Sequence, residues 1–264
     1  MDWRLQNLQK KIQEKQGREN LKQVLKTIYS SFFSTYRTFA AFYDFNEKFY
    51  IAKDKALDFC NQACLISKFF TKLDCNILFD LVKSFGVDFD RKLNIPDDCL
   101  FRSQFLEFLI RAAFNIYSKK TKILDYSAAL NYCLENGLYA FLNQHNQDSW
   151  LKERLWTENC EKALEFYYPF LNNLFKKYAL STYSKNQSYM TLNEFKELKI
   201  ENNIIKYLPQ GEKDANLCFF LSIAKQIDEL NSDRWVNLNF IEFFECLARL
   251  AEKLSLPPTI YKEV

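Results

Sequence analysis

The chain has 264 residues, 48% of them hydrophobic, with a net charge of +3. That length suits two ordinary domains and that apolar content suits two cores, while so small a charge gives no argument for nucleic acid. No apolar run approaches the roughly 18 residues of a membrane span, and four glycines leave no phosphate-cradling loop.

The first stretch, MDWRLQNLQKKIQEKQGREN, is charged and lacks the apolar centre of a secretory signal. Leu5, Leu8 and Ile12, then Leu21, Leu25 and Ile28, mark an apolar stripe over residues 1 to 31, with Gly17 as a break. The reading is a basic amphipathic helix over 1–17, with Arg4, Lys10, Lys11 and Lys15 beside Leu5, Leu8 and Ile12. Its basic face is either solvated or a surface for an acidic partner. The aromatic stretch from Phe32 to Tyr50 reads as core, because basic residues do not interleave with it.

Helical spacing then recurs at Asp54–Phe70, with Asp74–Ser84 following and Asp74 as its N-cap, and at Gln104–Tyr117. A first lobe over 18–122 ends at the lysine-rich Ser118–Lys122. A helical linker over 123–158 carries the only histidine, His145, in a polar surface loop. The second lobe, 159–264, holds a long helix that Pro169 starts or kinks. Further helices are expected at Thr191–Lys199, Asn216–Leu230 and Phe240–Leu254. The eight cysteines lie mostly among apolar helical neighbours and read as buried thiols in a reducing compartment.

The two halves share a sequence. RSQFLEFLIRAA, from Arg102, aligns without a gap on the stretch ending EFFECLARLA, with Phe105/Phe243, Glu107/Glu245, Leu109/Leu247, Arg111/Arg249 and Ala113/Ala251 identical. A repeat about 138 residues apart implies two homologous halves. With LFKKYA at Leu174–Ala179 and MTLNEFKEL at Met190–Leu198, the layout resembles paired EF-hands. In that register Ile51, Leu100, Met190 and Leu238 take loop position 8, and Lys55, Gln104, Glu194 and Glu242 take position 12.

Calcium needs oxygen ligands at loop positions 1, 3, 5 and 12, with Gly at position 6. The loop before Met190 offers Tyr183, Lys185 and Gln187, with Ser188 in place of the Gly. The loop before Gln104 offers Leu93, Ile95 and Asp97. The last loop keeps Asn231, Asp233 and Glu242 as donors, short of the roughly six to eight oxygens calcium takes. No metal and no cofactor is therefore expected, with those three residues the sole calcium candidates. A lone His disfavours zinc, Cys–His and Ser–His–Asp chemistry. Cys60 and Cys64, one turn apart, have no second pair nearby and read as core. Glu107, Glu242 and Glu245 read as braces rather than an acid–base set.

The fold expected is all-α: two tandem EF-hand-like, calmodulin-like lobes joined by a helical linker, with an N-terminal helix. The closing helix also resembles that of degenerate EF-hand proteins of protist cilia and flagella. That resemblance implies a non-enzymatic, cytoplasmic component of the ciliary axoneme, a microtubule-associated scaffold bound to tubulin or other axonemal proteins. It implies no nucleic acid and no membrane span. The alternatives left open are a calcium sensor acting through the last hand and an accessory subunit of another assembly, such as a mitochondrial complex.

Overall fold

The structure is a computed structural model and describes residues 8, 12, 14–41, 50–85, 95–184, 187–224 and 237–254. The chain divides into two compact units, Met1–Gln147 and Asp148–Val264.

The first unit is built around α1, Lys15–Ala40. Leu21, Leu25 and Ile28 bury one face of its first half, and from Ser31 onward it is buried on nearly every side. It runs unbroken through Gly17, so the break expected there is absent and Lys15–Ala40 is one helix. Strand β1, Ile51–Ala52, leads into α2, Lys53–Gln62. Next come α3, Lys72–Ser84, strand β2, Cys99–Leu100, and α4, Arg102–Thr121. Ile51 stands antiparallel to Leu100 and Ala52 to Cys99. Phe105 of α4 forms the centre of the core, with ring centroids 5.9 Å from Phe32, 5.0 Å from Phe59 and 5.8 Å from Phe108.

Two helices expected in the linker, α5 (Tyr126–Cys133) and α6 (Tyr139–Gln144), pack in this first unit instead. Leu130, Leu138 and Leu142 have no exposure there, and that burial draws them into the core. A wide turn at Leu134–Leu138 joins them, in which Gly137 takes φ of 115°. A side chain at that angle would be strained. His145 caps the end of α6 and sits half-buried with its ring 5.0 Å from Phe141 and 5.9 Å from Phe39. It is therefore part of the aromatic packing and not a free surface residue, and burial lowers its pKa.

The second unit takes α7, Gln147–Trp150, into a wide turn at Leu151–Leu155 and then α8, Glu158–Tyr178. Pro169 lies inside α8 without ending it. The residues around it, Phe166 to Phe170, face solvent, where a carbonyl left without its helical partner can be hydrated. A hairpin follows, β3 (Ser181–Ser184) with β4 (Gln187–Tyr189). Then come α9 (Leu192–Glu201), α10 (Glu212–Ser222) and α11 (Phe240–Lys253). Met190 and Leu238 exchange two backbone hydrogen bonds, 2.8 and 2.9 Å, in an antiparallel bridge. No described helix is long and apolar enough to cross a membrane.

Helix starts are marked by side chains. Thr71, rather than Asp74, is the N-cap of α3, and Asp74 closes a capping box by accepting from the Thr71 N–H at 2.8 Å. Thr191 with Glu194 and Asn239 with Glu242 do the same for α9 and α11.

Two measurements follow from these contacts. Leu238 is fully buried where the two loops meet, so Leu238→Ala should cost about 2–5 kcal/mol in denaturant unfolding. A change within error would place that side chain outside the core. The second concerns acid. Hydrogen bonds from Thr71, then the charge of Lys119, hold the Asp74 carboxyl down at about 2. A depressed carboxyl stabilises the fold fully above the ordinary carboxylate value and loses that contribution as pH falls through about 2. The stability gap between wild type and Asp74→Asn should thus be flat near neutrality and close towards pH 2. A gap that stays constant down to that pH would show that the carboxylate charge is not what matters.

Candidate functional site

Several carboxylates that could look catalytic in the sequence are committed to structure. Glu107 on α4 meets Arg111 at 2.6 Å, both buried, and the Arg111 guanidinium lies 5.0 Å from the Phe85 ring. Glu245 on α11 meets Arg249 at 2.6 Å, and Arg249 lies 3.9 Å from the Trp150 ring centroid. Glu242 is buried, and its two oxygens accept from the N–H of Asn239 at 2.7 Å and of Ala224 at 2.8 Å. Glu194 mirrors this, accepting from Thr191 N–H at 2.7 Å and Leu180 N–H at 3.0 Å. Each of these last two carboxylates ties the start of an exiting helix to the end of the entering one.

The expected binding residues scatter. Leu8 is fully buried, which removes it from any docking face. Ile12 is half-buried against α1, where a Cβ on Gly17 would meet it at 3.3 Å, and Lys15 is exposed. Arg4, Leu5, Lys10 and Lys11 lie outside the described residues, as do the calcium candidates Asn231 and Asp233. Among the described residues no group of three or more His, Cys, Asp or Glu side chains gathers as a metal site.

What the structure does assemble is a groove on the second unit, about 640 Å³ in volume. One wall is the start of α8. Thr157 caps that helix through its hydroxyl, which accepts from the Cys160 N–H at 3.3 Å. Glu161, Leu164, Glu165 and Tyr168 then fall on one face by their helical spacing. Trp156 stands at the mouth, 66% exposed. The other wall is Ile241 and Phe244 of α11. Tyr168 fixes the two helices together, with its ring edge-on to Phe240 at 5.6 Å and to Phe244 at 6.4 Å. Lys162 pairs with Glu158 at 2.6 Å, on the helix beside the groove. Among the described residues, Glu161 and Glu165 have no ion-pair partner. The site therefore offers two carboxylates, a Trp ring and a Tyr ring along an apolar floor.

Residues 100–216 match the family model of cellulase, glycosyl hydrolase family 5. The match covers less than half of the chain and takes in the end of the first unit and the start of the second. It includes the whole α8 wall of the groove. No curated protein and no solved structure matches the chain. This similarity overturns the expectation of a degenerate EF-hand protein of the cilium. It likewise overturns the non-enzymatic, microtubule-associated scaffold role, together with its alternatives of a calcium sensor and an accessory subunit. The physical reason is that the shared features of the repeat are generic. Apolar residues three and four apart, a Glu–Arg pair at i,i+4 and a capping box are what any buried, well-capped helix requires. Within 100–216 the described residues are chiefly helical. Strand structure there is confined to Leu100, the β3–β4 hairpin and the Met190 bridge.

The groove residues Trp156, Glu161, Glu165 and Tyr168 are absent from the sequence reading, which takes this stretch simply as a long helix. One cue was available: carboxylates at 161 and 165 with an aromatic at 168 share a helical face just after a Thr cap. The second wall, some 75 residues further on, gave no cue.

The closure made by Glu242 is testable. Glu242→Gln exchanges one acceptor oxygen for an N–H₂ that faces a backbone N–H, which should cost about 1–3 kcal/mol in equilibrium unfolding. Unchanged stability would mean that the two hydrogen bonds do not hold the loop.

Proposed function

We propose that the second unit binds a carbohydrate chain in the groove between α8 and α11, with Glu161 and Glu165 as the carboxylates available for acid–base work on it. One observation carries this reading: the α8 wall with its two carboxylates and Tyr168, and Trp156 just before it, lie within the stretch similar to the cellulase family. Pyranose rings have apolar faces and hydroxyl rims. Flat aromatic side chains take the faces, and unpaired carboxylates accept from the hydroxyls. A mostly apolar cleft with a few convergent polar groups is the usual form of a small-ligand site.

The reaction class that accompanies this similarity is glycoside hydrolysis, which uses two carboxyl groups and needs neither metal nor cofactor. Glu161 and Glu165 stand one helical turn apart, about 5–6 Å between Cβ atoms. That compares with about 5–5.5 Å between carboxyl groups in retaining hydrolysis. Both rise from the same wall, however, and the facing wall is apolar. The geometry therefore supports holding a sugar chain more directly than cleaving it.

We propose further that each unit has the architecture of an EF-hand-like pair, two helix–loop–helix elements joined by a short antiparallel contact between their loops. The Ile51–Leu100 and Met190–Leu238 contacts support this. The framework then serves the groove by fixing α11 against α8.

Affinity electrophoresis in soluble β-1,4-glucan tests the binding. Wild type should be retarded, and Trp156→Ala should lose most of that retardation while unfolding at the same temperature. Reducing-sugar release from the same polymer tests the chemistry, with Glu161→Gln and Glu165→Gln each expected to lower it by about 10²–10⁴-fold. Retardation without sugar release keeps the binding site and removes the acid–base role. No retardation in any β-linked glucan overturns the proposal.

A further inference from the structure

A second chemical site lies in the first unit, away from the groove. Cys60 near the end of α2 and Cys75 in the first turn of α3 place their sulfurs 3.8 Å apart in the core. Their exposures are 0% and 1%. All eight cysteines are free thiols, so this is a reduced pair. The spacing of the sulfurs and the place of Cys75 in the first turn of a surface helix set these two apart. Burial pushes Cys133 and Cys218 up to about 12, which keeps them inert. Cys75 moves the opposite way, lowered by its hydrogen bond with Cys60 and, against the effect of burial, by the charge of Lys53. Cys60 is raised well above the ordinary thiol value by the same hydrogen bond and by burial. The two thiols thus share one hydrogen bond, in which one sulfur can hold the proton beside its neighbour.

The position of Cys75 supplies a route to solvent. Its N–H bonds to the Thr71 carbonyl at 3.0 Å, within the first turn of α3. That turn is at the surface, with Leu73 67% exposed. Helix ends open far more readily than helix centres, so loosening one turn uncovers Cys75 without unfolding the unit.

We propose that Cys60 and Cys75 form a peroxide-oxidisable dithiol, whose disulfide ties α2 to α3. The oxidant is a hydroperoxide. The Cys75 thiolate attacks one peroxide oxygen, the O–O bond breaks, and the other oxygen leaves as an alcohol or as water after taking a proton. Cys75 is then a sulfenic acid. Cys60 attacks its sulfur, the S–O bond breaks, and the thiol proton leaves with the hydroxyl as water. Two electrons pass from the sulfur pair to the peroxide. Closing the sulfurs from 3.8 Å to a bond of about 2.0 Å ties together two helices already in contact. The link closes a loop from residue 60 to residue 75 and so restricts the unfolded chain. Exposed Cys64, which takes φ of 54°, has no part in the pair.

The test uses the full native chain. It is exposed to stoichiometric hydrogen peroxide, remaining thiols are capped with N-ethylmaleimide, and peptides are mapped without reduction. The expected product is a link between the peptides holding Cys60 and Cys75, reversed by dithiothreitol and retained in Cys64→Ser. Thermal unfolding of the oxidised wild type should rise by several degrees, with no such rise in Cys75→Ser. A Cys60–Cys64 link overturns the proposal. So does sulfinic acid at Cys64 with Cys60 and Cys75 both capped by the maleimide. Should Cys75→Ser fail to fold, the wild-type map alone decides, since it either contains the 60–75 link or does not.

Discussion

The constraint on which the rest depends is the short backbone contact between paired loops. In the first unit Ile51 faces Leu100, and in the second Met190 faces Leu238, and all four side chains are fully buried. Buried backbone groups must find partners or lose the free energy of hydration. Two loops that each carry one apolar residue inward can satisfy each other across a two-residue ladder. Once they do, the helices leaving those loops have little freedom. α4 and α11 start two residues beyond Leu100 and Leu238 and run through the cores of their units. In the second unit Glu194 and Glu242 complete the arrangement by joining the two ends of a loop through backbone N–H groups.

The repeated helices carry a second shared device, a Glu–Arg pair one turn apart, buried in α4 and part-buried in α11, with the guanidinium against an aromatic ring. Such a pair adds little net stability compared with apolar packing, because both charges must be desolvated. Removing one partner is costly, since the remaining charge is stranded. The pair therefore fixes which way α4 and α11 face, and planar stacking on Phe85 and Trp150 extends the constraint to neighbouring segments. It also explains why the most prominent acidic residues of the sequence are unavailable for chemistry. Glu161 and Glu165, which have no ion-pair partner among the described residues, stand outside the two helices of the sequence repeat.

The similarity to a glycosidase family covers one part of the helical framework. The family match begins at the pairing strand Leu100 and stops inside α10, before α11 and the second groove wall. The framework positions α11 against that stretch, through the Leu238 bridge to Met190 and the aromatic cluster of Phe175, Phe240 and Phe243. The groove exists because the two meet at Tyr168. A groove divided in this way couples its α8 wall to the integrity of a loop pairing distant from it in sequence.

The sequence by itself determined the local structure. Apolar spacing marked α3, α4, α9 and α11, because a helix that must bury one face repeats its apolar residues every three or four positions. The aligned Glu and Arg residues of the two halves likewise marked a shared helical device. Only the tertiary structure decided where those elements went. Leu8 and the helices after Tyr126 read as a docking stripe and a linker until packing against the first core buried them. Pro169 reads as the start or a kink of a helix, and α8 runs through it because its solvent-facing side tolerates the lost hydrogen bond. The groove was the least legible feature, since its walls are separated by a hairpin, two helices and a loop pairing. Spacing along a chain records which residues share a helix face. It carries no record of which other face will stand opposite, because that depends on contacts made only after collapse.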